Sequence, residues 1–349
     1  MKFVRFFAAG AVCAIPLLVS ATSVHAAIAQ RTIVLQTDTP PAAPLNVTWN
    51  PTLRQYYAAG AGSGEPMYSK GYVFSETGTL LQTFSELEHD LRSINYNPNT
   101  NKLEAMTFNA RDGGIGTVGG RPQGLFEANL DAGGLFTGST SMLLGALPGN
   151  LGRQTMPVYD AGRNEFYAFS NTNIFNRVSR ADGSLLGTIA LDTTPIGNPG
   201  FTWFASGFDS QNDLLVVVSP ATDDAYTFRR DGTYVETWEL DIDVPSFYGA
   251  GFANGQLFVY DQSRNAWQGY DISSSSPVCN DIDFNNDGSS FDPQDIDAFL
   301  SVFSEGPCIP ETATCDDIDF NNDTSIFDPC DIDSFLLVFS EGPCTLCGQ

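Results

Sequence analysis

Basic residues are scarce in this 349-residue chain: 16 Lys and Arg stand against 41 Asp and Glu, a formal charge of −25. So acidic a protein repels nucleic acid and anionic lipid, and neither is expected as a partner. Histidine is scarcer still, limited to His25 and His89. A multi-histidine zinc site is thereby excluded, and Ser/His or Cys/His catalysis has little to draw on. Apart from Cys13, cysteine is confined to six positions between Cys279 and Cys347. After residue 19 no apolar run approaches the roughly twenty residues that cross a bilayer, so membrane insertion is not expected. Charged residues total only 16%, whereas 33 Gly, 20 Pro and 26 Phe suit packed, turn-rich β structure.

Lys2 and Arg5 precede an apolar stretch over 6–19 and then small residues, the pattern of a secretory signal. Val24-His25-Ala26 and Ala27-Ile28-Ala29 both suit signal peptidase, so cleavage is expected after Ala26 or Ala29, the second having the better A-x-A pattern. Residues 1–29 are assigned to this leader. Val12 is a poor residue before a lipidated cysteine, which argues against lipoprotein processing at Cys13. The protein is expected to be secreted and extracellular, with cell-surface association as a variant of that reading.

Residues 30–272 repeat themselves. Trp49-Asn50, Tyr96-Asn97, Tyr159-Asp160, Phe208-Asp209 and Phe252-Ala253 each precede a turn and a second β-rich run, at spacings of 47, 63, 49 and 44 residues. Later turns at Gly78, Gly133, Gly183 and Gly232 supply the backbone freedom that tight hairpins need. Four strands per repeat of about 40–50 residues predict a propeller blade. The fifth copy has three strands, ending at 266–271, and the strand at 32–37 lacks a hairpin partner. The expectation is an all-β, five-bladed β-propeller closed by its N-terminal strand, which covers two otherwise open edges. The Asn-Pro and Asp-Gly turns resemble those of NHL and YVTN-type propellers, a likeness of strand pattern that carries no catalytic residue across.

Because Asn50, Asn97, Asp160 and Asp209 share one column, they read as turn formers, and the aromatic column beside them as core. Gly114 to Gly119 match a dinucleotide fingerprint without the strand and helix it requires. His89, in a charged interblade segment, reads as solvated. The 63-residue spacing places long connections at 109–123 and 137–157 on one face, where Arg111, Asp112, Arg121 and Arg153 are candidate ligand contacts. Glu65, Asp112, Asp192, Asp223 and Asp241 are the loop carboxylates from which a glycosidase pair would have to come.

A Ser-rich linker at 273–278 leads to 279–349, which holds two copies, 279–308 and 315–344, and no Lys or Arg. Asp283-x-Asn285-x-Asp287-Gly288 opens the first and Asp319-x-Asn321-x-Asp323-Thr324 the second. Alternating oxygen donors about a tight bend are Ca²⁺ chemistry. Ser289 extends the first set, and Asp295 and Asp331 would close the two loops at position thirteen instead of twelve. Thr324 replaces the bend glycine, so the second site is expected to be weaker. Asp292-Pro293-Gln294-Asp295 reads as a helix cap, followed by Ile296, Phe299, Leu300 and Phe303 on one face, with Ile332, Phe335, Leu336 and Phe339 as their counterparts. Repeat symmetry suggests disulfides Cys279–Cys308 and Cys315–Cys344, leaving Cys330 with Cys347, among 15 possible connectivities.

Two calcium loops, each followed by one helix, over a 71-residue C-terminal segment resemble dockerin modules, more closely the cysteine-bearing GC-type variant found on exported proteins of Planctomycetes-like bacteria. The resemblance implies an EF-hand-like, calcium-binding module that docks to a cohesin-like partner or cell-surface assembly. The function expected is a noncatalytic, secreted binding or scaffold protein. The alternative is a dockerin-tethered, glycan-degrading propeller enzyme.

Overall fold

The computed structural model describes residues 27–340 except 63–67, 112–120, 150, 153, 171–172, 203, 248, 273–279, 281, 290, 305, 311–313, 317, 321–326 and 328. The leader up to Ala26, the glycine-rich fingerprint, Glu65, Asp112, Arg153, Cys279, Asn321, Asp323, Thr324, Cys344 and Cys347 fall outside these residues, as does the side chain of Cys330.

Five antiparallel blades follow in chain order. The first is Pro44–Asn50, Gln55–Gly60, Ser69–Ser75 and Leu80–Leu87. The second is Leu91–Asn97, Lys102–Thr107, Leu125–Leu130 and Phe136–Leu144. The third is Val158–Asp160, Glu165–Ser170, Ile174–Ser179 and Leu185–Ala190. The fourth is Ser206–Asp209, Leu214–Ser219, Asp224–Arg229 and Tyr234–Glu239. The fifth combines Ala250–Ala253, Gln256–Asp261 and Ala266–Asp271 with the N-terminal strand Gln30–Gln36, which pairs antiparallel with Ala266–Asp271. The ring is therefore closed as the missing fourth strand required. One boundary differs from expectation: 137–144 is the outer strand of blade two, so its second long connection begins only at 145. Ala27–Ile28 adds a short parallel strand to the outer edge of blade four, and the Ala29 N–H donates to the Glu239 carbonyl at 3.0 Å. Of the two expected cleavage points, only the one after Ala26 leaves those pairings intact.

The packing is between blades, because each sheet buries both faces. Tyr57, Val73 and Phe136 lie between blades one and two; Met106, Leu125 and Phe166 between two and three; Phe175, Phe208 and Phe228 between three and four. Val216, Trp238 and Val259 lie between four and five, and Tyr72, Phe74 and Trp267 between five and one. At the axis the innermost strands approach closely: a Cβ on Gly251 would stand 2.7 Å from the Val47 nitrogen, so only glycine fits.

The C-terminal segment has a core of its own. Helices α1 (Pro293–Phe303) and α2 (Pro329–Phe339) enclose Ile282, Phe284, Phe299, Ile318, Phe320 and Phe335. Phe299 and Phe335, equivalent in the two repeats, stack with centroids 4.2 Å apart and planes 6° apart. The Asn280 N–H donates to the Phe320 carbonyl (2.8 Å) and the Asp316 N–H to the Phe284 carbonyl (3.1 Å). Adding 36 to the first-repeat residue and subtracting 36 from the second-repeat residue converts one bond into the other, so the repeats are related by a local two-fold. That arrangement corrects two expectations. Leu300 and Leu336 are 48% and 47% exposed, while Ala298 and Phe299 face inward, because α1 and α2 pack about the Phe299–Phe335 pair instead of along the anticipated stripe. Cys308 bonds to Cys315, with Cα atoms 5.7 Å apart, in place of the expected Cys279–Cys308 and Cys315–Cys344 pairs. The two-fold returns the end of one repeat to the start of the next, so the bridge joins repeats rather than closing one.

Candidate functional site

The first acidic loop folds around its own side chains. The Asp287 N–H donates to both Asp283 Oδ1 and Asn285 Oδ1 at 3.0 Å, and the Gly288 N–H donates to Asp283 Oδ2 at 2.8 Å. Gly288 takes φ +90°, the bend for which glycine was expected. Ser289 and Asp287 are exposed, the Ser289 N–H donating to Asp287 Oδ1 at 2.9 Å. Asp283 and Asn285 are buried.

Asp295 enters this loop from the first turn of α1. Asp292 caps the helix, accepting from the Gln294 and Asp295 N–H groups, and Asp295 Oδ2 accepts in return from the Asp292 N–H at 3.1 Å. The other oxygen, Oδ1, is sealed from solvent without a hydrogen-bond partner, as is Asn285 Nδ2. Burial pushes the Asp295 carboxyl up and outweighs the lowering by the backbone N–H groups of Asp292 and Asn285, and the negative charges of Asp292 and Asp283 push it up as well. An orphaned carboxylate oxygen facing like charge is what a hard cation relieves, so these residues fit Ca²⁺. Among the described residues no three carboxylates, thiolates or imidazoles gather on one point; this set is two carboxylates and an amide.

The extra loop residue is absorbed at Phe291, which adopts φ 66°, as its equivalent Phe327 adopts 63°. Each ring then lies 6.1 Å from the last helical Phe of the other repeat, Phe291 against Phe339 and Phe327 against Phe303. Cross-repeat packing thus supports a backbone conformation that a bulky residue rarely adopts. In the second loop Asp319 and Asp331 match the burial of Asp283 and Asp295, and Asp331 Oδ1 accepts from the Phe320 N–H at 2.9 Å.

On the propeller, the turn column behaves as expected. Asn50, Asn97, Asp160 and Asp209 each accept a backbone N–H two residues ahead through Oδ1. Of the proposed ligand-face residues, Arg111 is exposed, whereas Arg121 is tied to blade one by a 2.6 Å bond to the Tyr68 hydroxyl and stacks 4.7 Å above that ring. His89 is 4% exposed, not solvated. Its Nε2 lies 3.0 Å from Thr140 Oγ1 and its ring 4.0 Å from that of Phe126, because the outer strand of blade two covers it.

Of the loop carboxylates, Asp223 and Asp241 line one cavity of about 820 Å³ between blades four and five, together with Asp224, Glu239, Asp243 and Asp261. Asp223 Oδ1 accepts from the Val244 N–H at 2.7 Å, and Asp241 Oδ1 accepts from Arg31 and Tyr270, also at 2.7 Å. Burial raises the Asp241 carboxyl, but the bonds from Tyr270 and Arg31 outweigh it and hold the group below its ordinary value. It is therefore not poised as the protonated acid of a glycosidase pair. Asp192 is exposed and lies outside this cavity's lining.

At the propeller axis, on the face of the turns between first and second strands, Trp49, Tyr96, Tyr159, Phe208 and Phe252 line a cavity of about 210 Å³. Only Phe208 is buried; the other four are half-buried, so the column expected to be core is partly a wall. Their recurrence in the sequence signalled the ring, but not that it opens to solvent.

No family model matches the chain, and no curated protein matches it in sequence. Solved structures similar to it share little sequence with it. They include the glutaminyl cyclase of Myxococcus xanthus (9% identity, 70% of this chain and 95% of that one, TM-score 0.44). The calcium-binding protein regucalcin of Agrobacterium tumefaciens is 12% identical, over 71% of this chain and 97% of that one, with TM-score 0.44. The Cps50 (Swd1) β-propeller domain of Myceliophthora thermophila is 9% identical, over 70% and 100%, with TM-score 0.37.

Proposed function

We propose that this is a secreted, noncatalytic binding protein whose five-bladed propeller presents a ligand site and whose C-terminal pair of loop–helix units, loaded with Ca²⁺, docks it to a cohesin-like protein or cell-surface assembly. The observation that carries the docking half is the convergence of Asp283, Asn285 and Asp295 in a two-fold-related unit with its own core. Leu300 and Leu336, exposed at equivalent points of the two helices, and the exposed Phe291 and Phe327, packed on Phe339 and Phe303, supply apolar surface for a protein partner. Asp283, Asn285, Asp287 and Asp295 would hold the ion, with Asp319, Asn321, Asp323 and Asp331 as the second set.

Calorimetric titration of the intact chain tests this reading. Calcium uptake is expected, with EGTA lowering the melting temperature of the C-terminal unit and leaving the propeller transition in place. Asp283→Ala with Asp287→Ala should abolish most of the uptake and weaken calcium-dependent retention on an immobilised cohesin. Absence of calcium uptake would defeat the assignment.

A further inference from the structure

The axial aromatic ring lies on the face opposite the long connections, and its chemistry is set by five equivalent positions. Trp49, Tyr96, Tyr159, Phe208 and Phe252 each stand one residue before a turn on an innermost strand, so the closed ring of blades brings them around the axis. The cavity they line has room for about seven waters at ~30 Å³ each, enough for one small organic group. Its wall is held in advance. The Tyr96 hydroxyl donates to Asn101 Oδ1 at 3.0 Å and the Tyr159 hydroxyl to Asn164 Oδ1 at 2.9 Å. Beneath them the Asn46 side chain bonds both the N–H and the carbonyl of Ile94, and Asn95 Nδ2 donates to the Pro157 carbonyl. A preformed site loses little to ordering on binding.

The lining decides what fits. It contains no charged side chain, and the protein carries −25, so an anion finds no partner. A cation would find one face of the Phe208 ring already taken by the Arg230 guanidinium, which stands 4.7 Å from it and outside the cavity's lining. The Thr48 hydroxyl and the Asn95 and Asn254 amide nitrogens are committed to the Tyr96 N–H, the Pro157 carbonyl and the Tyr56 hydroxyl. The polar edge offered to a ligand is therefore the Ser210 hydroxyl with the Asn95 and Asn254 carboxamide oxygens, which a purely apolar group would leave unused. The remaining class is a neutral ring with one apolar face and a hydroxylated edge. We infer that the axial mouth binds a single neutral polyol ring, such as the terminal sugar residue of a glycan. The inference rests on the reading of the propeller as a binding domain, but not on calcium.

The full-length protein would be titrated with the methyl glycosides of glucose, galactose, mannose and N-acetylglucosamine, followed by saturation-transfer NMR and tryptophan fluorescence. At least one should bind saturably, equally well with and without EGTA. Trp49→Ala, and separately Tyr96→Ala with Tyr159→Ala, should weaken it tenfold or more, with circular dichroism reporting that each variant is folded. Gln262→Ala, in the exposed turn between Gln256–Asp261 and Ala266–Asp271 on the other face, should leave it unchanged. Failure of all four glycosides, binding by tetramethylammonium instead, loss of binding in EGTA, or undiminished binding by the folded Tyr96/Tyr159 variant would overturn the inference. Calcium uptake and cohesin retention are read separately, so failure here and failure of docking are distinguishable.

Discussion

At the scale of single residues, His89 couples the propeller to pH. Its pKa is lowered from 6.5 to about 4, mainly by burial, with Glu88 pulling it up and the nearby Arg121 adding a smaller push down. The unfolded chain therefore takes up a proton below pH 6.5 that the folded chain refuses until about pH 4. Stability is complete above 6.5 and falls as the pH drops through that window, by at most about 1.4 kcal/mol per unit. Urea unfolding at pH 7 and pH 5, above the carboxylate range, should show this loss, and His89→Gln should reduce it. A variant as acid-sensitive as the parent would refute the assignment. The sequence around His89 is charged and gave no sign of burial, since the covering group, Thr140, comes from a strand 51 residues away. The Asx turns, by contrast, are made within three residues and were legible from the residue types alone.

Among the elements, the blades are joined by arginines that follow the third strand. Arg180 of blade three reaches Glu104 of blade two through two bonds, 2.6 and 2.9 Å, and Glu104 also accepts from Asn97 at 2.9 Å. Arg230 of blade four similarly reaches Asp160 of blade three at 2.5 Å. Glu104 is 1% exposed, so removing its partner strands a charge. Arg180→Met should cost about 3–5 kcal/mol, whereas Arg180→Met with Glu104→Leu should regain most of it, because an apolar pair restores balance where a lone carboxylate cannot. Thermal unfolding of the two variants checks this, and equal losses would contradict it. The strands themselves were readable because every hairpin carries its own turn signal and the count of three strands in the last copy demanded a fourth from the N-terminus. The interblade clamps were not, because Arg180 and Glu104 are 76 residues apart and nothing local marks them as partners.

For the whole molecule, what the sequence concealed was symmetry rather than composition. Its duplication was plain, but two repeats can close individually or clasp one another, and spacing does not distinguish the cases. The stacked Phe299–Phe335 pair and the reciprocal bonds at Phe284 and Phe320 show that they clasp. The same rotation governs the cysteines. Adding 36 to Cys308 gives Cys344 and subtracting it from Cys315 gives Cys279, so the observed Cys308–Cys315 bond implies a symmetric mate between Cys279 and Cys344. Those two lie outside the described residues, and Cys330 with Cys347 is the pair that remains. In chain-entropy terms the seven-residue closure contributes about 2 kcal/mol and the longer one about 4, so the second bond would be the main covalent restraint on this unit. We predict that peptide mapping of the unreduced protein recovers 308 linked to 315 and 279 linked to 344. Cleavage must be at Asp or aromatic residues, since no Lys or Arg follows Arg264. The alternative pairs, 279 with 308 and 315 with 344, would close each repeat on itself. Recovering them would dismiss the clasp. With the predicted pairs, Cys344→Ser should lower the melting temperature of the C-terminal unit more than Cys308→Ser, because it reopens the longer loop.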